Sequence, residues 1–114
     1  MSEECVFCRI GKKETPSHFL YQDDRTFVIK DINPKAPVHL LVMPFEHVTY
    51  LEFFTEDQKD LLGHLVIVGR DMASHEGLIE SGYRLAINQK DDSGQEVPHL
   101  HLHVLGGQPL GAIG

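Results

Sequence analysis

The segment His99-Leu100-His101-Leu102-His103 carries imidazoles at alternate positions. In an extended strand, residues two apart share a face and stand roughly 7 Å apart. The spacing therefore predicts His99, His101 and His103 on one half-exposed face, with Leu100, Leu102 and Val104 on the other. Imidazoles on such a face gain little from burial, and Thr or Val would form a neutral strand more readily. Two chemistries use this pattern. An H-x-H strand supplies a pair of ligands to zinc in some sites. Alternatively, a neutral imidazole, with an ordinary pKa near ~6.5, attacks phosphorus while a neighbouring ring steadies phosphate charge. Spacing alone leaves metal ligation and nucleophilic catalysis open, beside a plain polar face that is rich in histidine.

A second group is Cys5-Val6-Phe7-Cys8. In a reducing compartment a C-x-x-C suits metal or redox chemistry better than a structural disulfide. No thioredoxin-like βαβ pattern surrounds it, which weakens the redox reading; two unconnected thiols are the remaining one.

The elements that must position these groups follow from periodicity and turn chemistry. Residues 6–10 read as a helical turn closed by Gly11. Residues 19–21 and 27–29 read as short strands joined by the polar turn Gln22-Asp23-Asp24-Arg25. The prolines of Asn33-Pro34-Lys35-Ala36-Pro37 make a loop, and residues 38–43 form a strand that ends at Pro44. The long helix is expected to start at Thr55, where Thr55 and Gln58 fit a capping box. Leu61, Leu62, Leu65, Val68, Met72 and Ala73 then recur at helical spacing, and Gly77 suits the position after the helix end. Residues 83–87 and 99–105 read as further strands, divided by a polar loop over 88–98. Hairpin-like strands with one long helix predict an α+β fold built on a mainly antiparallel sheet.

Composition narrows the partners. At 114 residues the chain is expected to be a single domain, residues 1–114, with a core that needs no disulfides. The net charge is −7 and the ten Lys and Arg residues are scattered, so no basic stripe follows a nucleic-acid backbone. A small anion can still be held by backbone N–H groups and histidines. No apolar run approaches the ~20 residues of a membrane span, and Met1-Ser2-Glu3-Glu4 lacks an apolar leader, so no membrane partner and a cytoplasmic location are expected.

The residues flanking the histidines separate the open readings. Gly94-Gln95-Glu96-Val97-Pro98, the alternating His and apolar residues, and the trailing Gly106-Gly107 closely resemble the signature of the histidine triad (HIT) family, and within it the Hint branch of nucleotide-binding phosphoramidases. Asp31-Ile32-Asn33-Pro34-Lys35-Ala36-Pro37-Val38-His39 is similar to a second family motif, and Leu61-Leu62-Gly63-His64-Leu65 and Gly82-Tyr83-Arg84 also match. The likeness runs from about Cys5 to Gly107.

The resemblance implies a HIT fold, with a five-stranded sheet, one long and one short helix, and two sheets joined across a homodimer. Residues 83–88 and the long helix are the interface candidates. It implies hydrolysis of the P–N bond in purine nucleoside phosphoramidates, AMP joined to an amine or to lysine; dinucleoside polyphosphate hydrolysis and non-enzymatic AMP binding are the alternatives. His101 becomes the nucleophile that carries a covalent nucleotide, with no metal in the chemical step. His103 and His39 become contacts to the non-bridging oxygens, and His99 orients His101. Asn88, Gly94, Glu96 and Val97 complete the phosphate cradle. Asp31 becomes the ribose-binding acid, and Ile29, Ile32, Val6, Phe7 and Ile10 enclose the purine. A subset of relatives also implies one structural zinc per chain on Cys5, Cys8, His47 and His99. The chain departs from the family in two places. Glu96 stands where some members have a Ser that helps protonate the leaving amine, as in bacterial variants, and Pro98 stands where an aromatic is frequent. In relatives the C-terminal segment, here 109–114, reaches the partner's active site. His18, His64 and His75 are assigned no role.

Overall fold

The computed structural model describes residues 5–114. The opening Met1-Ser2-Glu3-Glu4, read above for its lack of a leader, lies outside them. A short helix, α1 (Val6–Gly11), is followed by β1 (Tyr21–Gln22), β2 (Thr26–Lys30) and β3 (Val38–Pro44). A long helix, α2 (Lys59–His75), then leads to β4 (Tyr83–Ala86) and β5 (Leu102–Gly106). The strands form one sheet in the order β1-β2-β3-β5-β4, antiparallel throughout. This is the α+β, antiparallel five-stranded arrangement expected from the sequence.

Both faces of the sheet are covered, and strand alternation sorts the core accordingly. Val28, Leu40, Val42, Leu102 and Val104 turn towards α2, where they meet Leu61, Leu65, Val68, Met72 and Ala73. Phe27, Ile29, Leu41 and Met43 turn the other way and pack with Phe7 of α1. This second cover explains why β2 is buried on both faces along Phe27-Val28-Ile29.

Helix α2 starts as the capping box predicts, with the Thr55 N–H donating to Gln58 Oε1 at 3.0 Å. Its first turn is tightened to a 3₁₀ helix, Glu56–Gln58, so the α-helix proper begins at Lys59 rather than Thr55. The helix ends in a Schellman turn. The N–H of Leu78 bonds the Ala73 carbonyl at 2.9 Å, that of Gly77 the Ser74 carbonyl at 3.1 Å, and Gly77 takes φ +78°. Gly69 sets how closely α2 approaches the sheet. A Cβ there would stand 2.7 Å from Leu102 Cδ2, so only glycine lets the helix settle directly behind the histidine segment. Among the described residues no helix is long and apolar enough to cross a membrane.

The boundary at the histidines differs from expectation. The strand begins at Leu102, not His99. His99 N–H bonds the Val97 carbonyl at 2.8 Å, closing a three-residue turn centred on Pro98, and Leu100 N–H bonds Val48 beyond the end of β3 at 2.7 Å. Proline's fixed φ suits the centre of such a turn. Smaller differences trim β1 to Tyr21–Gln22, extend β2 to Thr26–Lys30 and end β4 at Ala86 rather than at Ile87.

Candidate active site and metal centre

The register of β3 on β5 builds the histidine cluster. Leu41 lies opposite His103 and His39 opposite Leu105, so His39 and His103 are diagonal neighbours on one face. His39 Nε2 is 2.8 Å from His103 Nδ1, and the rings of His101 and His103 lie 5.0 Å apart. Contrary to the half-exposed face expected, His99 is fully buried and His101 nearly so, while His103 is half-buried. The cover is α1, whose Phe7 ring packs edge-on against His99 and His101 at 5.8 and 5.1 Å.

Hydrogen bonds determine which nitrogens carry protons. The Lys35 N–H donates to His39 Nδ1 at 3.0 Å, so a neutral His39 carries its proton on Nε2 and donates to His103 Nδ1. His103 must then carry its own proton on Nε2. His101 Nδ1–H donates to the His99 carbonyl at 2.7 Å, which leaves the lone pair of His101 on Nε2. Burial keeps the His39 and His103 rings neutral. It pushes His103 down to about 4, with His101 and His39 acting in the same direction, and it lowers His39 against the opposing pull of Asp31.

His101 and His103 open onto a cavity of about 230 Å³. Its apolar wall comes from Val6, Phe7 and Ile10 of α1 together with Ile29, Ile32 and Leu41. Asn88, Gly94, Glu96, Val97 and Asp31 supply its polar and backbone lining. Asp31 also caps its own loop, with Oδ1 accepting the Asn33 N–H at 2.8 Å and Oδ2 3.3 Å from His39 Nε2. His39 and His99 do not line the cavity; they stand behind His103 and His101.

Gln95, Lys30 and Asn33 also line the cavity, and no role was read for their side chains from sequence. Gln95 is the informative one. Its Oε1 accepts the Lys90 N–H at 2.7 Å, which fixes the amide orientation and leaves Nε2 buried without a partner. A buried unpaired donor is costly, so its place on a cavity wall points to a ligand acceptor. Lys90 holds φ +67°, ψ −167°, a backbone region proper to glycine. Its amine is anchored on Glu52 and lies 4.9 Å from the Tyr50 ring centre. The Gly94-Gln95 dipeptide is the sequence signal for this donor, although nothing local to it shows that the side chain faces the cavity.

On the other side of His101 lies the cysteine cluster. The donor atoms of Cys5, Cys8, His47 and His99 all lie within 4.8 Å of one another. Cys5 Sγ is 3.3 Å and Cys8 Sγ 3.5 Å from His99 Nδ1, and Cys8 Sγ is 3.2 Å from His47 Nδ1. A zinc tetrahedron with S and N ligands has S···N edges of roughly 3.5 Å, so the four residues fit such an ion. The tautomer agrees. His99 Nε2–H donates to the Pro44 carbonyl at 2.9 Å, which directs the Nδ1 lone pair at the sulfurs. Burial, then Cys5, pushes the Cys8 thiol up to about 11, so a cation is what would draw off its proton. Cys5 is also the N-cap of α1, accepting the Cys8 N–H at 3.4 Å.

A sheet of this order, with a histidine cluster beside an apolar cavity, is the arrangement of a HIT-class hydrolase. The HIT domain family profile matches residues 12–110, and the chain belongs to that family. It is 40% identical over 113 residues to a purine nucleoside phosphoramidase of Escherichia coli K12, covering 99% of this chain and 95% of that protein. A HIT family hydrolase from Clostridium thermocellum superposes with a TM-score of 0.91 at 44% identity, over 96% of each chain. A zinc-bound histidine triad family protein from Mycobacterium smegmatis superposes with a TM-score of 0.81 at 32% identity, over 95% of this chain and 78% of that one. The protein is a HIT hydrolase of the Hint type.

Proposed function

We propose that this hydrolase cleaves the P–N bond of purine nucleoside phosphoramidates, AMP joined to an amine or to lysine, through a nucleotide held covalently on His101. The observation that carries the proposal is the pair of ring nitrogens left to the cavity. His101 Nε2 has a lone pair, because its Nδ1–H is held by the His99 carbonyl, and His103 Nε2 has a proton, because its Nδ1 accepts from His39. A nucleophile and an oxyanion donor thus stand side by side, already oriented.

The purine lies between α1 and the isoleucines, with Asp31 accepting from the ribose hydroxyls. His101 Nε2 attacks the α-phosphorus as the P–N bond breaks, and the departing nitrogen takes one proton from solvent at the cavity mouth. Negative charge growing on the non-bridging oxygens meets His103 Nε2–H, the Gln95 amide, Asn88 and the backbone N–H groups of the loop from Gly94 to Val97. The cation formed on His101 is steadied by the His99 carbonyl. Water then attacks phosphorus as the bond to His101 Nε2 breaks, the water gives up one proton to solvent, AMP leaves, and His101 returns to neutral.

Cys5, Cys8, His47 and His99 hold a zinc ion in this proposal, which ties α1 to the histidine segment and takes no part in the chemical step. The chain acts as one HIT domain in the cytoplasm. The open edge of β4 and the exposed Val66 and Ile67 of α2 support a homodimer. The test is an acid quench during turnover of an AMP–amine phosphoramidate. Mass spectrometry should find AMP on the peptide containing His101, and His101→Ala should abolish turnover while still binding AMP. Full activity in that variant would refute the nucleophile.

A further inference from the structure

A second cavity, of about 500 Å³, adjoins the first. Val6, Glu96 and Val97 belong to both, and Cys5, His47, Thr49 and Pro98 complete the second one. In the proposed function Glu96 and Val97 belong to the phosphate cradle, so the second cavity adjoins the first beside the place of the phosphorus. Apart from Cys5 and His47, whose donor atoms turn to the metal cluster, Glu96 is the one ionisable side chain on the second cavity. It is exposed, and among the described residues it enters no ion pair.

We infer that the second cavity seats the leaving group of the substrate, and that Glu96 selects leaving groups carrying a positive charge, such as an alkyl chain ending in an ammonium. The inference rests on the phosphoramidase reading above. The two cavities are chemically divided. The first has Lys30, the rings of His101 and His103 and an unpaired amide donor for an anion. The second has a carboxylate that enters no ion pair among the described residues, set among Val6, Val97 and Pro98, which can cover a methylene chain. A neutral alkylamine meets the apolar wall only. A diamine or a lysine side chain meets the wall and the carboxylate. An anionic leaving group meets repulsion from Glu96 within a protein of net charge −7. Because Glu96 is solvent-exposed, the discrimination is modest and sensitive to salt.

The experiment uses two substrates of matched length. In one, AMP is joined through nitrogen to one end of diaminopentane; in the other, to hexylamine. The wild type should favour the ammonium compound about threefold in kcat/KM at low salt, and the ratio should fall towards one as salt rises. Glu96→Gln should bring the ratio to about one, and Glu96→Lys should invert it. A ratio unchanged in Glu96→Gln overturns the inference. A second measurement separates this from the chemistry: the two compounds are titrated calorimetrically into His101→Ala protein, with and without Glu96→Gln. If the wild type hydrolyses neither compound yet binding discriminates through Glu96, the phosphoramidase reading falls and the selectivity stands. If neither binding nor turnover depends on Glu96, the inference falls and the reading of the first cavity is untouched.

Discussion

Replacing His39 tests the proton arrangement directly, because His39 does not line the cavity and its shortest side-chain contact is with His103. The chain of donors runs from the Lys35 N–H to His39 Nδ1 at 3.0 Å, and from His39 Nε2 to His103 Nδ1 at 2.8 Å. In His39→Ala, His103 Nδ1 loses its donor, and the ring is free to move its proton from Nε2 to Nδ1, away from the cavity. Full loss of an oxyanion donor costs about 2.7–4 kcal/mol of barrier. Since part of the His103 population keeps the useful tautomer, the loss should be smaller, about 1.4–2.7 kcal/mol, which is about tenfold to a hundredfold in rate. The effect should fall mainly on kcat, with a smaller rise in KM for the AMP–amine from losing the looser contact between His39 Nε2 and Asp31 at 3.3 Å. His39→Gln gives the discriminating result. Its terminal amide can still donate towards His103 Nδ1, although it cannot accept from Lys35, so it should recover much of the lost kcat. Steady-state kinetics on the wild type and both variants, with melting curves as a control for folding, are sufficient. Equal losses in kcat for Ala and Gln, or a loss confined to KM, would refute the positioning role.

Two further outcomes are expected. Asp23 is the most heavily bonded carboxylate in the fold: Oδ1 accepts from the N–H groups of Arg25 and Thr26 and from the Thr26 hydroxyl, and Oδ2 from Tyr21 and His64. Burial opposes its ionisation, but the bonds from Arg25, His64 and Thr26 outweigh it and hold its pKa well below the carboxylate range. Asp23→Ala leaves the fully buried Thr26 without acceptors and should cost about 2–4 kcal/mol. A carboxylate with a depressed folded pKa stabilises above its unfolded pKa of about 3.9 and loses that contribution as pH falls towards the folded value. Urea unfolding should therefore show the wild-type advantage at pH ~7 and its decline below about 4; an advantage constant across that range would refute the role. For the metal, elemental analysis of protein purified without chelator should find about one zinc per chain, and Cys8→Ser should lose it. Chelation should also weaken AMP binding, since α1 presents Cys5 and Cys8 to the metal and Val6, Phe7 and Ile10 to the cavity. AMP affinity unchanged by chelation would separate the two sites.

His64 shows what pattern reading overlooks. In the sequence it was a helix histidine without a role, yet it bonds Asp23 at 2.7 Å and joins α2 to the β1–β2 turn. The partner lies 41 residues away, and nothing local to either residue announces the pair. Gln95 was overlooked for a similar reason. Its donor becomes significant only once Lys90, held in a glycine-like conformation, takes up its oxygen and leaves the nitrogen buried.

The histidine segment divides most clearly between the two sources. Residue types and flanking motifs carried a resemblance that indicated the HIT fold, and that resemblance implied an imidazole nucleophile at His101 and a Cys-His metal set; local spacing by itself left metal ligation and catalysis open. The approximate extents of the strands also followed from local punctuation, since prolines, glycines and alternating apolar residues limit where strands can start and stop, whereas their order in the sheet came only from the long-range pairing. The sequence could not say that His99 leaves the strand, that its carbonyl rather than its ring orients His101, or that His39 stands behind His103. Those are consequences of the three-residue turn at Pro98 and of the β3–β5 register, which are set by long-range pairing. The free nitrogens of His101 and His103 were therefore decided by tertiary structure, because a tautomer depends on the partner across space and not on the neighbour in the chain.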